Sequence, residues 1–326
     1  MKLQKSIGFL KAIAQLLFMY HRIKRPMLEP SKHVAEDEWR KFMTKIGASS
    51  YIWVSPFSTD HLDQLSHAKS IGFDVYEIAV ENPHVIDIER VREEARRVGI
   101  DVSICGAFGE TRDISSDVAE YRENGIAYIK TLVDMAEAVG SPYVAGPMYA
   151  AVGRTRFATP EEKQRQTRFA ADNIKALAEY AAKKNVALAL EPLNRFETDF
   201  MNTVEQGLEF LELVGYDNVG FLLDTFHMNI EEKSLTGAIR MAKGKIFDFH
   251  SCANDRGTPG EDHFDWEAIR EALKDAEYTG PVVIESFTPE ITEIAKAVSM
   301  WRPFAQSPDK LARDGYAFLN RVFNAR

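Results

Sequence analysis

Glu191, Asp224, His250 and Glu285 each close an apolar run in the second half of the chain: VALALE (186–191), VGFLLD (219–224), IFDFH (246–250) and PVVIE (281–285). Each run has the length and composition of a buried strand, and each ends in a group that binds cations or moves protons. A carboxylate or imidazole at the end of a buried strand needs a partner, because desolvation penalises its charged form. Alone, each has an ordinary reading: a strand-end Glu as a salt-bridge partner or helix cap, His250 as a satisfied core histidine. Together they make a donor set of three carboxylates and one imidazole, mostly hard. That set suits Mn²⁺, Co²⁺ or Mg²⁺ better than a structural zinc, which favours thiolates or more imidazoles. Four protein ligands on a six-coordinate ion leave room for two substrate oxygens, the arrangement a metal-assisted enzyme needs to polarise a carbonyl.

Three more chemistry-bearing residues follow closely. Glu197 lies six positions after Glu191 in EPLNRFE, His227 three after Asp224 in DTFH, and Arg256 six after His250 in HSCANDR. All three are expected in strand-to-helix loops, where substrate contacts belong. The plainer reading of Arg256 is a loop salt bridge with Asp255 or Glu261.

The elements that must position these residues can be read from periodicity. Strands are expected at 46–54, 74–80, 101–108, 143–148, 186–191, 219–224, 246–251 and 281–286. Helical stretches are expected near 61–71, 87–98, 117–139, 161–184, 203–214, 235–243, 265–277, 291–301 and 308–324. Gly72, Gly99, Gly140, Asn185, Gly215, Gly244 and Gly280-Pro281 punctuate them. Eight strands, each followed by a helix, argue for a (β/α)₈ TIM barrel with a C-terminal helix. A doubly wound open sheet is the alternative, weakened because YIWVSPFS rather than a glycine fingerprint follows the first strand. In the barrel, Glu191, Asp224, His250 and Glu285 end strands five to eight at the face where barrel chemistry lies. Adjacent strands are about 4.8 Å apart, so all four can reach one ion.

The remaining signals set boundaries. The chain has 326 residues, 45% hydrophobic and 27% charged, with net charge −9. That is a globular composition with no electrostatic case for nucleic acid. Cys105 and Cys252 are both expected inside strands, as buried thiols of a reducing, cytoplasmic compartment. Residues 1–45 read as an N-terminal helical extension to a barrel domain at 46–326. Their apolar stretch is broken by Lys11 and Gln15, too short and charged to span a bilayer, although an amphipathic helix could touch a membrane surface.

The stretches EPLNRFET (191–198), DTFHMNIEE (224–232), HSCANDRG (250–257) and VIESF (283–287) resemble those of the ketose 3-epimerases, the D-tagatose, D-allulose and L-ribulose 3-epimerases of the xylose isomerase-like barrel superfamily. The resemblance implies a sugar substrate, a homodimer or homotetramer, and a metal, usually Mn²⁺, Co²⁺ or Mg²⁺, held by Glu191, Asp224, His250 and Glu285. It implies that Glu191 and Glu285 are also the acid–base pair, and that Glu197, His227 and Arg256 contact substrate. Inverting C3 of a ketose needs proton removal on one face and return on the other, which suits two carboxylates from non-adjacent strands.

The first half fits the family less well. Its loops read YIWVSPFSTD, IAVENPH, CGAFGETRD and AGPMYAAVGRTRF, and Ala253 stands where many relatives place Glu. Trp53, Phe108, Met148 and Tyr149 are candidate pocket walls, and Arg154 and Arg156 could take a phosphate or carboxylate. The same superfamily also contains isomerases that move a carbonyl between C1 and C2, and C-glycoside deglycosidases that act on 3-keto-glucosides and pair with a small second subunit. A DNA-repair nuclease of the related type would need more histidines and a basic face.

Overall fold

The computed structural model describes residues 43–324, so nearly all of the expected N-terminal extension lies outside the described residues. The strands are β1 (Ile46–Ser49), β2 (Val75–Val80), β3 (Asp101–Gly106), β4 (Tyr143–Gly146), β5 (Ala187–Leu190), β6 (Val219–Asp224), β7 (Ile246–His250) and β8 (Val282–Ile284). They form a closed, all-parallel barrel in sequence order, β8 pairing back onto β1. The closure rules out the doubly wound sheet. The strands are almost wholly buried, as their continuous apolar runs require. Below the barrel mouth the two ends of the described chain meet: the Thr44 N–H donates to Asn324 Oδ1 (2.9 Å), and Asn324 Nδ2 donates back to the Thr44 carbonyl (3.0 Å).

Helices between the strands begin and end where local chemistry dictates. The helix α1 (Asp63–Ile71) is followed by α2 (Ile88–Val98), α3 (Ala119–Val139), α4 (Pro160–Ala182) and α5 (Val204–Val214). At α4, Thr159 Oγ1 accepts from the Glu162 N–H (3.2 Å) while Glu162 Oε2 accepts from the Thr159 N–H (2.7 Å), with Pro160 in the first turn. The same reciprocal cap forms between Thr203 and Gln206 at α5. Such caps are each worth about 1 kcal/mol. The later helices are α6 (Thr225–Glu231), α7 (Leu235–Met241), α8 (Trp266–Asp275), α9 (Thr292–Ala297) and α10 (Pro308–Asn324). No described helix is long and apolar enough to cross a membrane.

Several expected boundaries move. The first strand stops at Ser49, whose side chain caps a 3₁₀ turn over Ser50–Ile52. The fifth and eighth stop one residue before Glu191 and Glu285. Cys252 lies two residues beyond β7 rather than inside a strand, and both cysteines are free and buried. The helix α6 was not expected, because seven residues are too few for a clear helical period; Asp224 caps it, Oδ1 accepting the Phe226 N–H at 2.7 Å.

Gly220 shows how tightly β6 and β7 are pressed together. A Cβ there would sit 2.3 Å from the Lys245 carbonyl oxygen and 2.7 Å from the Phe247 ring, next to a register shift between Phe221 and Leu222. Backbone cannot give way as a flexible side chain can. Gly220→Ala is therefore expected to lower stability by about 1–3 kcal/mol in a urea titration. An unchanged midpoint would mean that these two strands do not approach as described.

Candidate active site

Parallel pairing sets the site's geometry. Asp224 and His250 are paired partners on β6 and β7, and both end their strands. Glu191 and Glu285 follow immediately after β5 and β8. The four side chains are nearly or completely buried, and each offers a donor atom within 4.8 Å of the others. His250 Nδ1 lies 3.8 Å from Asp224 Oδ2 and 3.7 Å from Glu285 Oε2.

His250 tests whether these residues suit an ion. Its Nε2 lies 2.9 Å from Glu77 Oε1, so the Nε2 proton is donated there. Its Nδ1 has no hydrogen-bond partner although the ring is fully buried. A buried nitrogen lone pair that faces carboxylate oxygens at close to 4 Å, too far for hydrogen bonds, is satisfied by a cation between them. The residues present therefore fit a divalent ion. Electrostatics agree. Burial, followed by the negative charges of Glu285 and Asp224, drives the Glu191 carboxyl well above the carboxylate range. Burial opposes charge on His250, but Glu77 and Glu285 outweigh it and raise its affinity for a proton. Close-packed acids of this kind hold a positive charge strongly, whether a proton or a metal.

The three loop residues also converge. His227 is 1% exposed and sits on α6; burial and the Arg256 guanidinium pull its pKa down to about 3, so the ring is neutral. The Asn194 backbone N–H donates to His227 Nδ1 (3.0 Å), which leaves the ring proton on Nε2, 3.6 Å from Glu191 Oε1. Arg256 Nη2 lies 3.0 Å from that same Nε2. A donor thus faces each ring nitrogen, and a neutral imidazole accepts at only one, so one of these donors is left for another acceptor. Arg256 is 4% exposed, lies over the Phe226 ring at 4.2 Å, and has Nε and Nη1 without partners. Its ionic neighbour is Glu197 (3.4 Å), not Asp255 or Glu261; Asp255 instead faces Arg302. Glu197 Oε1 accepts from Asn194 Nδ2 (3.0 Å).

These groups face a cavity of about 500 Å³, with Glu191, Glu285, Glu197, His227 and Arg256 in its wall. Of the four expected wall residues, Phe108 takes that place. Trp53 stands away from the cavity, stacked on Tyr76 and donating Nε1–H to Asp309 (2.9 Å). Met148 is core, and Tyr149 sits beneath the site, its hydroxyl donating to the Glu191 carbonyl (2.9 Å). Ala253 is fully buried. Arg154 is committed elsewhere: it pairs with Asp199 (2.9 Å) and Asp113 (3.1 Å) and tacks the loop after β4 to the loop after β5. Arg156 joins Asp199 at 3.6 Å and Gln166 at 3.0 Å. An anion site at these two residues is not supported, since carboxylates already face both.

Two contributors escaped the sequence reading. Asn194 ties His227 to Glu197, and its only signal is its place inside EPLNRFE. Glu77 is a fully buried carboxylate in the middle of β2, and its signal is the single charge in VYEIAV.

The sequence model of the xylose isomerase-like TIM barrel family matches residues 65–322. A "Probable ketose 3-epimerase" of Synechocystis sp. is 35% identical over 279 residues, covering 86% of this chain and 96% of its own. The L-ribulose 3-epimerase of Mesorhizobium japonicum is 33% identical over 280 residues, covering 85% and 93%. A solved structure of an L-ribulose 3-epimerase superimposes with a TM-score of 0.81 at 32% identity, covering 86% of this chain and 95% of that one. With the barrel, the buried acid–imidazole cluster and these likenesses in agreement, the chain belongs to the xylose isomerase-like TIM barrel family and, within it, to the ketose 3-epimerases, enzymes of the isomerase class.

Proposed function

We propose that the protein is a divalent-metal-dependent epimerase that inverts C3 of a free ketose, with Glu191 and Glu285 as the acid–base pair. The observation that carries the reading is the unpartnered Nδ1 of the fully buried His250, facing Asp224 and Glu285. Glu191, Asp224, His250 and Glu285 would hold the ion, Mn²⁺ before Co²⁺ or Mg²⁺ given the hard donor set. When bound, the ion supplies positive charge that offsets the negative charge developing on the sugar as C3 loses its proton.

The protein's own groups do the rest. His227 and Arg256, together in the cavity wall, contact the ketose oxygens, and a hydrogen bond to the C2 carbonyl oxygen acidifies the C3 proton. Glu197, held by Asn194 and Arg256, accepts a hydrogen bond from a sugar hydroxyl. Glu191 and Glu285 line the same cavity from β5 and β8, which are not neighbours in the barrel, so they address C3 from two sides. One removes the proton and the other returns one to the opposite face, with no turnover of the sugar in the site. A homodimer or homotetramer is the assembly that goes with this reading, and light scattering would report it.

Two outcomes are expected. Mn²⁺ at about 100 times its Kd should stabilise the protein by about 2.7 kcal/mol, a rise of roughly 5 °C in melting temperature. Asp224→Asn should remove that rise. In D₂O with Mn²⁺ and a panel of ketoses, the parent should produce the C3 epimer carrying deuterium. Glu191→Gln and Glu285→Gln should each lower kcat/KM by about 10²–10⁴-fold. Each single variant should retain some one-face exchange. No exchange on any ketose, or aglycone release from a 3-keto-glucoside in its place, would overturn the epimerase reading.

A further inference from the structure

Beneath the four site residues, the barrel interior holds a second set of polar groups that the reaction does not touch. Glu77 (β2), Ser103 (β3), Tyr143 (β4) and Asp248 (β7) are all buried, Glu77 and Asp248 completely. Glu77 pairs with Ser103 across β2 and β3, placing them at one level. Glu77 Oε1 accepts the Nε2 proton of His250 at 2.9 Å, and Asp248 Oδ2 flanks that nitrogen at 3.8 Å. Asp248, like Glu77 and the Tyr143 hydroxyl, has a buried oxygen without a hydrogen-bond partner. Its remaining oxygen is fixed by the Phe249 backbone N–H (2.9 Å). No Lys or Arg forms an ion pair with either acid among the described residues.

A core built only for stability would not place two carboxyls side by side with no basic partner, since apolar side chains fill such a layer without a desolvation cost. What the pair achieves is directional. An imidazole has one proton to place, and an acceptor fixed at Nε2 keeps it there. The lone pair is then confined to Nδ1, the nitrogen facing Asp224 and Glu285. The hydrogen bond from His250 on β7 to Glu77 on β2 also fixes the plane of the ring.

We propose that Glu77 is a positioning residue for the metal: its carboxylate holds His250 in the one tautomer that offers Nδ1 to the ion. This rests on the metal site proposed above, and the two can fail separately. Glu77→Gln is nearly isosteric but carries an amide that can donate to His250 Nε2, which drives the ring proton to Nδ1 and blocks the lone pair.

The test uses the full chain stripped of metal with a chelator. Mn²⁺ is titrated calorimetrically into the parent, Glu77→Gln and Glu77→Asp. Glu77→Gln should weaken Mn²⁺ about 10–100-fold. Nitrogen-15 spectra of the histidines in the metal-free proteins, recorded at a pH high enough that His250 carries a single proton, read the tautomer directly: that proton is expected on Nε2 in the parent and on Nδ1, or shared, in Glu77→Gln. A merely structural role for Glu77 would not move that signal. Parent-like Mn²⁺ affinity or an unchanged tautomer in Glu77→Gln overturns the inference. If that variant does not fold, Glu77→Asp decides: its shorter carboxylate should not reach Nε2 and should weaken Mn²⁺, and parent-like affinity there overturns the inference. A parent that binds no Mn²⁺ overturns the metal reading itself.

Discussion

The mouth of this barrel crowds three carboxylates around one imidazole, all nearly or completely buried, and the rest of the site follows from how that charge is held. Like charges repel far more strongly in a buried setting than at the surface. The repulsion shows in Glu191, pushed well above the carboxylate range by burial and by its acidic neighbours. The same groups that would destabilise an ordinary core make a strong cation site when the fold keeps them from moving apart. Parallel pairing does that: Asp224 and His250 are locked as register partners, while Glu191 and Glu285 are fixed one residue beyond their strands.

Around this centre, loop residues are tied to each other rather than to solvent. Asn194 bridges His227 and Glu197, and Arg256 lies against Phe226 with its backbone held by Ser286 Oγ (2.6 Å). Arg256 also takes a positive φ of 65°, a strained conformation for a non-glycine residue, which survives where surroundings over-determine it. With His227 Nδ1 accepting from Asn194, the buried Arg256 guanidinium keeps N–H donors without partners. The arginine in the loop after β4 clamps that loop to the one carrying Glu197.

The strand-end residues were legible in the sequence because a polar group closing an apolar run has a position as well as a type. Barrel topology then made strands five to eight neighbours. Arg256 was legible as a loop residue, but His227, also expected in a loop, lies on a helix, Thr225–Glu231, too short to leave a period, and its approach to Arg256 depends on that helix. Glu77 was missed for a related reason: one charge inside a buried strand reads as an interruption until a partner is known, and its partner lies 173 residues away. The aromatics divided along lines that sequence does not carry. Phe108 faces the cavity while Trp53, equally close to a strand end, turns outward to Asp309 and His67.

The most direct test of the central claim is a crystal structure of the Mn²⁺-loaded protein with the ion located by its anomalous scattering. The account predicts one ion, roughly 2.0–2.3 Å from carboxylate oxygens of Glu191, Asp224 and Glu285 and from His250 Nδ1. An ion bound elsewhere, or His250 coordinating through Nε2, would contradict it.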